Sequence, residues 1–363
     1  MKDSVPVLPG QRPAEGWFFE DYALGQRFGH PTPRTITAGD CALYIALTGA
    51  RQPVHCAEPV ARALGHPACP VDDLLVFHIA FGKTVHDISY NAIANLGYAG
   101  VRFLEPVYAG DTIRAQSEVI GLKENSNGKS GVVYVGSRAL NQHGREVLGW
   151  ARWVMVAKRK ADAPATSTVI PALAREVEAA KLSVPAFLRP AALDPRATGG
   201  TRLWEDYEPG TVIDHPGGMT LEEAEHMLAT RLYQNTARVH FDAFLAKSNP
   251  FGKRLVYGGH VISICRALSH DGLENAFAIA AINGGSHANP TFAGDTLYCR
   301  HVVVDRWALP GRGDVGALRL RMLGAKNVRL SELPAVAPGD KHDQVVLDLD
   351  YTVLIPRRPS HVK

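Results

Sequence analysis

The chain has 363 residues, enough for two domains of ordinary size that each bury a core. Its 46% hydrophobic and 21% charged residues match a soluble globular protein, and no apolar run approaches the roughly 20 residues that span a bilayer. A net charge of +3 creates no demand for nucleic acid or an anionic membrane as partner.

The polar, proline-rich stretch Met1 to Gly16 lacks the apolar core of a signal peptide, so a cytoplasmic location is expected. The five cysteines, Cys41, Cys56, Cys69, Cys265 and Cys299, are scattered and never form a CxxC pair. They suit reduced thiols better than a disulfide framework and suggest no structural zinc site.

Taken in chain order, a block Phe19-Glu20-Asp21-Tyr22 with Gly25 and His30-Pro31 opens the first half. Apolar residues at helical spacing over Gly39 to Thr48, behind Thr37 as N-cap, predict a helix. The apolar stretch Leu74 to Gly82 is helix or strand, which periodicity does not separate. Asp111 to Leu122, Gly131 to Leu140 and Val147 to Val156 are rich in β-branched and aromatic residues, with a turn at Asn125 to Gly128; they predict an antiparallel meander. Residues 161–197 carry five prolines among many alanines and read as a linker crossing a surface, with one short helix near Leu173 to Leu182. In the second half Thr220 and Glu223 predict a capping box at the start of a helix, followed by a second ambiguous run, Val261 to Leu268.

The chain repeats itself at an offset of about 184 residues. Pro106 to Thr112 (PVYAGDT) returns as Pro290 to Thr296 (PTFAGDT), and the opening block returns as Trp204-Glu205-Asp206-Tyr207, Gly210 and His215-Pro216. Two copies of so long a unit argue for tandem domains, 1–160 and 198–363, and against a solenoid.

A helix followed by a meander containing PxxxGDT, twice in one chain, resembles the MaoC-like, R-specific enoyl-CoA hydratases. Within that family RTITAGDCALY, LLVFHIAFGKTV, NAIANLGYAG, GLKENSNGKSGVVYV, EEAEHMLATRLYQNTARVHF and RLVYGGHVIS look like the mesaconyl-CoA hydratase branch, also described as β-methylmalyl-CoA dehydratases. The resemblance implies an α+β double hotdog, two tandem hotdog domains in which an antiparallel sheet wraps a helix. It also implies a lyase that adds water reversibly to mesaconyl-CoA, an enoyl-CoA thioester, without metal or redox cofactor; thioester hydrolysis on the same scaffold and a non-catalytic acyl-CoA-binding role stand as the alternatives. The pseudo-dimer inside the chain leaves room for further homodimerisation.

The family's loop has the form G-D-x-N-P-hydrophobic-H. The second half reads Gln234-Asn235-Thr236-Ala237-Arg238-Val239-His240, so His240 keeps register and Asn235 stands where the acid would be. His240 is therefore the expected base, since imidazole titrates near neutrality. Asn235 is expected to orient it or the water. Asp242 is the first candidate for the second proton-transfer group, with Asp40 and Asp72 as alternatives, or one histidine doing both transfers. The first half reads Gly49 to His55 with Ala50 in the acid's place, which leaves His55 vestigial or structural. Gly258-Gly259, before the helix candidate, are expected to offer amides to the thioester oxygen; the matching first-half position is taken as Phe77-His78. Arg231, Arg238 and Arg254 surround the loop, and Arg238 is the expected partner of a substrate carboxylate.

Overall fold

The computed structural model describes residues 6–7, 13–163 and 167–359. Its strands are β1 (Pro6–Val7), β2 (Arg27–Thr35), β3 (Ala92–Phe103), β4 (Thr112–Glu124), β5 (Ser130–Leu140), β6 (Glu146–Ala157), β7 (Val212–Thr220), β8 (Ala278–Ser286), β9 (Thr296–Leu309), β10 (Arg312–Lys326) and β11 (Val345–Pro356). They form one sheet in the order β1-β2-β4-β5-β6-β3-β8-β11-β10-β9-β7. After the short parallel β1, the first half contributes 2-4-5-6-3 and the second 8-11-10-9-7, mirror images about the β3–β8 seam. That seam is antiparallel, with Tyr98 opposite Gly285 and Val101 opposite Ile282.

The helices are α1 (Ala38–Thr48), α2 (Pro53–Cys56), α3 (Glu58–Ala63), α4 (Asp73–Ile88), α5 (Pro195–Thr198), α6 (Glu223–Leu232), α7 (Ala243–Ala246) and α8 (Gly258–Leu268). Both ambiguous apolar runs are helical, and they are the central helices α4 and α8. Every residue of α4 except Asp73 and His86 is buried, which explains why the run lacked an amphipathic pattern: a helix wrapped on all sides has no polar face to display. At the pseudo-dyad, His78 Nε2 of α4 lies 2.9 Å from Ser263 Oγ of α8, and Tyr44 of α1 donates to the same hydroxyl at 2.9 Å.

Thr37 caps α1 in a full box with Asp40. The expected box at Thr220 does not form: α6 starts at Glu223 behind Glu222, with no side-chain cap. Thr220 instead ends β7, with its hydroxyl 2.8 Å from that of Thr296. Its counterpart is Thr35, 2.7 Å from Thr112. The strand pair thus claims the hydroxyl that a cap would need, and Glu223 is free to pair with Arg254.

Residues 161–197 hold two short 3-10 turns and α5; the turn at Ala179–Lys181 is the only regular element where a helix was expected. The segment is fastened to both halves, through Val177 N–H to Asn283 Oδ1 at 2.8 Å, Ser183 Oγ to the Leu104 carbonyl at 2.7 Å and Arg312 to the Pro185 and Leu188 carbonyls.

Candidate active site

Between the halves lies a cavity of about 480 Å³. The first half lines it with Phe77 and Phe81 of α4, Tyr98 of β3 and Arg152 of β6, and the second with the Asn235–His240 loop, Tyr257, the start of α8 and His287. A larger groove of about 750 Å³ on the first half's sheet is lined by Arg27, Glu118, Arg138 and Gln116. These pair with one another and bring no histidine or helix terminus, so the smaller cavity is where the chemistry converges.

His240 Nδ1 lies 3.0 Å from the Leu255 carbonyl. Nδ1–H therefore donates there and Nε2 keeps its lone pair, the tautomer a base requires. Its ring meets Tyr257 edge-on at 5.5 Å. Burial lowers its pKa to about 4, because the charged form loses hydration that the protein does not replace. The imidazole is neutral at physiological pH and ready to accept a proton.

Asn235 is buried in the same wall, but its Oδ1 accepts from the Ala237 amide at 3.0 Å. It shapes the loop that carries His240 and makes no bond to the imidazole. The loop is seated on α4, where Gly82 allows contact: a Cβ there would fall 2.1 Å from the Tyr233 carbonyl oxygen. Gly82→Ala should accordingly displace the loop, costing about 1–3 kcal/mol of stability and at least tenfold in kcat/KM. Thermal melting with steady-state kinetics checks this; an unchanged kcat/KM would show that the loop tolerates the shift.

Gly258 and Gly259 open α8, where the first amides have no acceptor within the helix. Both positions exclude side chains by contact. A Cβ on Gly258 would lie 2.5 Å from the His287 ring, and one on Gly259 would lie 2.4 Å from Tyr257 and 2.6 Å from His78 Nδ1. The helix start is thus bare backbone facing the cavity, a suitable seat for a developing oxyanion.

His287 escaped the sequence reading. It follows β8, its Nε2 lies 3.1 Å from the Tyr98 hydroxyl across the seam, and burial lowers its pKa to about 4, with His240 adding a smaller repulsion. It lies in no repeated motif, since the repeat pairs it with Phe103. The signal available was its place three residues before Pro290 of the PTFAGDT block.

Several expected residues lie elsewhere. Asp242 accepts from the Leu245 amide at 2.9 Å as the cap of α7, Asp40 accepts from the Thr37 amide to complete the box of α1 and pairs with Arg34, and Asp72 caps α4. Among the described residues no aspartate or glutamate lines the cavity. Arg254 is held by Glu223, the kind of surface pairing that competed with a binding role. Arg231 is exposed on α6. Arg238, expected at a substrate carboxylate, is exposed and stacks on Tyr90 at 4.8 Å. It stands outside the lining, next to Ala237 and Val239, which belong to it.

The first half shows the same register with different contents. His55 Nδ1 meets the Pro70 carbonyl at 3.1 Å, fifteen residues on as in His240 and Leu255. The true counterpart of Gly258 is therefore Asp73, the first residue of α4, and the earlier match to Phe77-His78 slips by four residues. Here Ala50 replaces Asn235, Asp73 replaces Gly258 and Phe103 replaces His287. The remaining space is about 50 Å³, bounded by His55, Asp73 and Phe103 and by Ser183, Pro185 and Leu188 of the 161–197 segment.

A further buried group, His215, Cys299 and His301, has all ligand atoms within 4.8 Å of one another, a clustering that the scattered cysteines did not foreshadow. His215 Nε2 and His301 Nδ1 are 2.9 Å apart, and the chain continues to the Tyr351 hydroxyl. In the first half His30, bonded to Asp87 and Ser117, takes the equivalent place.

The profile of the mesaconyl-CoA hydratase family matches residues 11–328. The chain belongs to that family. A β-methylmalyl-CoA dehydratase of Chloroflexus aurantiacus is 54% identical over 344 residues, covering 94% of this chain and 98% of the relative. A mesaconyl-CoA hydratase of Cereibacter sphaeroides is 53% identical over 347 residues, with the same coverage. The crystal structure of a MaoC domain dehydratase from Chloroflexus aurantiacus superposes with a TM-score of 0.92, covering 95% of this chain and 98% of that one. A Mycobacterium tuberculosis protein described as a double hotdog superposes at 0.77 with 24% identity over 95% of this chain and all of that one, and so shares the fold. As a mesaconyl-CoA hydratase family member the chain is a hydro-lyase with a double hotdog fold. No helix among the described residues is long and apolar enough to cross a membrane.

Proposed function

We propose that this hydratase adds water reversibly across the double bond of mesaconyl-CoA to give β-methylmalyl-CoA, at one site in the second hotdog. The observation that carries this is the meeting of a neutral, tautomer-fixed His240 with the bare amides of Gly258 and Gly259 in one cavity. His240 Nε2 takes a proton from water as its oxygen bonds to Cβ; the π electrons move to Cα and the thioester oxygen gains charge. The amides at the start of α8 receive that charge, joined by the neutral His287 as a donor. His240, now an imidazolium, returns its proton to Cα, so a single residue balances the step. This fits a cavity wall without a carboxylate, in which Asn235 keeps the loop's shape and leaves proton transfer to the histidine.

The first-half pocket is the non-catalytic copy: the Asp73 carboxylate, at the place of Gly258, would repel an oxyanion.

Purified protein incubated with mesaconyl-CoA should lower the enoyl-thioester absorbance without releasing free thiol. Thiol release would instead identify a hydrolase, and binding without either change a non-catalytic acyl-CoA protein.

A further inference from the structure

We infer that Arg152, supplied by the first hotdog, binds the free carboxylate of the acyl group in the second hotdog's site and thereby selects carboxylate-bearing enoyl-CoA esters. The inference rests on the proposed hydration and identifies the group that distinguishes its substrate from an ordinary acyl chain.

Arg152 is 1% exposed and lines the cavity. Its guanidinium carbon sits 4.3 Å above the Phe81 ring, and its one hydrogen bond is a long one, 3.5 Å to the Thr84 carbonyl. Nε is buried with no partner, and among the described residues no carboxylate stands at ion-pair distance. Burial lowers its pKa to about 10, which leaves it charged at neutral pH.

Burying a cation without a counter-ion is strongly unfavourable, and stacking on a phenyl ring offsets only part of that cost. What would compensate the remainder is an anion with two oxygens, which the guanidinium fork grips in parallel. Mesaconyl-CoA carries such a group on Cβ, the carbon that water attacks. The cavity geometry is consistent, because Arg152 stacks on Phe81, Phe81 lies 6.2 Å from Tyr257, and Tyr257 lies 5.5 Å from His240. All four of these residues line the one cavity, so a single acyl group can meet the arginine through its carboxylate and the histidine through the attacking water. Under the alignment of β6 with β11, the counterpart of Arg152 is Tyr351, which is committed to His301; the cation exists on one side only.

Two measurements test this. The first compares kcat/KM for mesaconyl-CoA with that for tiglyl-CoA, in which a methyl replaces the carboxylate, in wild type, Arg152→Gln and Arg152→Lys. Loss of a charged bidentate contact should collapse the mesaconyl-to-tiglyl ratio by about 100-fold in the glutamine variant, with partial recovery in the lysine variant. Equal losses on both esters overturn the inference. The second uses wild-type protein and needs no turnover: succinyl-CoA should compete at least tenfold better than butyryl-CoA, and equal inhibition overturns the assignment even if the glutamine variant does not fold. Should the protein fail to hydrate mesaconyl-CoA yet prefer succinyl-CoA, the proposed reaction falls and the carboxylate site stands.

Discussion

His240→Ala should lower kcat on mesaconyl-CoA by about 10²–10⁴, the usual contribution of a positioned general base, while leaving the fold intact. Its imidazole makes one protein hydrogen bond, to the Leu255 carbonyl, so truncation leaves few partners unsatisfied. The control is built into the chain, for His55 holds the same place in the first half with the same bond fifteen residues on. His55→Ala should leave turnover within about twofold. Steady-state kinetics on the two variants, with circular dichroism to confirm folding, decides the matter. Near-normal turnover in His240→Ala would remove it from the mechanism, and equal losses in both variants would mean that the two halves are catalytically equivalent.

Acid should unfold this protein unusually early. Burial lowers the pKa of His78 to about 3, and of His215, His240, His260 and His287 to about 4. In the unfolded chain each returns to about 6.5. Between pH 6.5 and 4 the unfolded state therefore binds protons that the native state does not, and stability falls as pH falls. Above pH 6.5 neither state is protonated at these rings and the stabilisation is complete. Each histidine is worth about 1–2 kcal/mol over the interval from pH 6.5 to 5. A melting series from pH 8 to 5 should be flat down to about 6.5 and then drop steeply; a Tm that stays constant to pH 5 would mean that these rings are not held neutral.

Much of the fold was legible because it was written twice. The meander segments placed three of the first half's five strands, β4, β5 and β6, near their observed positions, and the returning GDT block marked the start of β9 in the second half. The helix caps were less reliable, as Thr220 shows: a hydroxyl at the right spacing was already taken by the strand pair with Thr296. Of the site, His240 and the glycines were readable because each lies in a continuous stretch of the second half. Arg152, Tyr98 and His287 were not, since the first two come from the other half and the third ends a strand whose sequence has no counterpart motif. Only the β3–β8 seam brings them to the same cavity, and pairing across a seam leaves no local signature.

The tie between the hotdogs does more than hold them together. Ser183, Pro185 and Leu188 close over the space beside His55 and Asp73, so the peptide that fused two units also stoppers one of the two clefts their symmetry would have created. In a homodimer of separate units every residue must serve both clefts, and a buried arginine useful in one would be a burden in the other. In the fused chain that constraint is absent, since the 161–197 segment covers one of the two clefts. The first hotdog contributes Arg152 and Tyr98 to the cavity that holds His240, and a side chain placed there answers to one cleft only, because the matching cleft is filled.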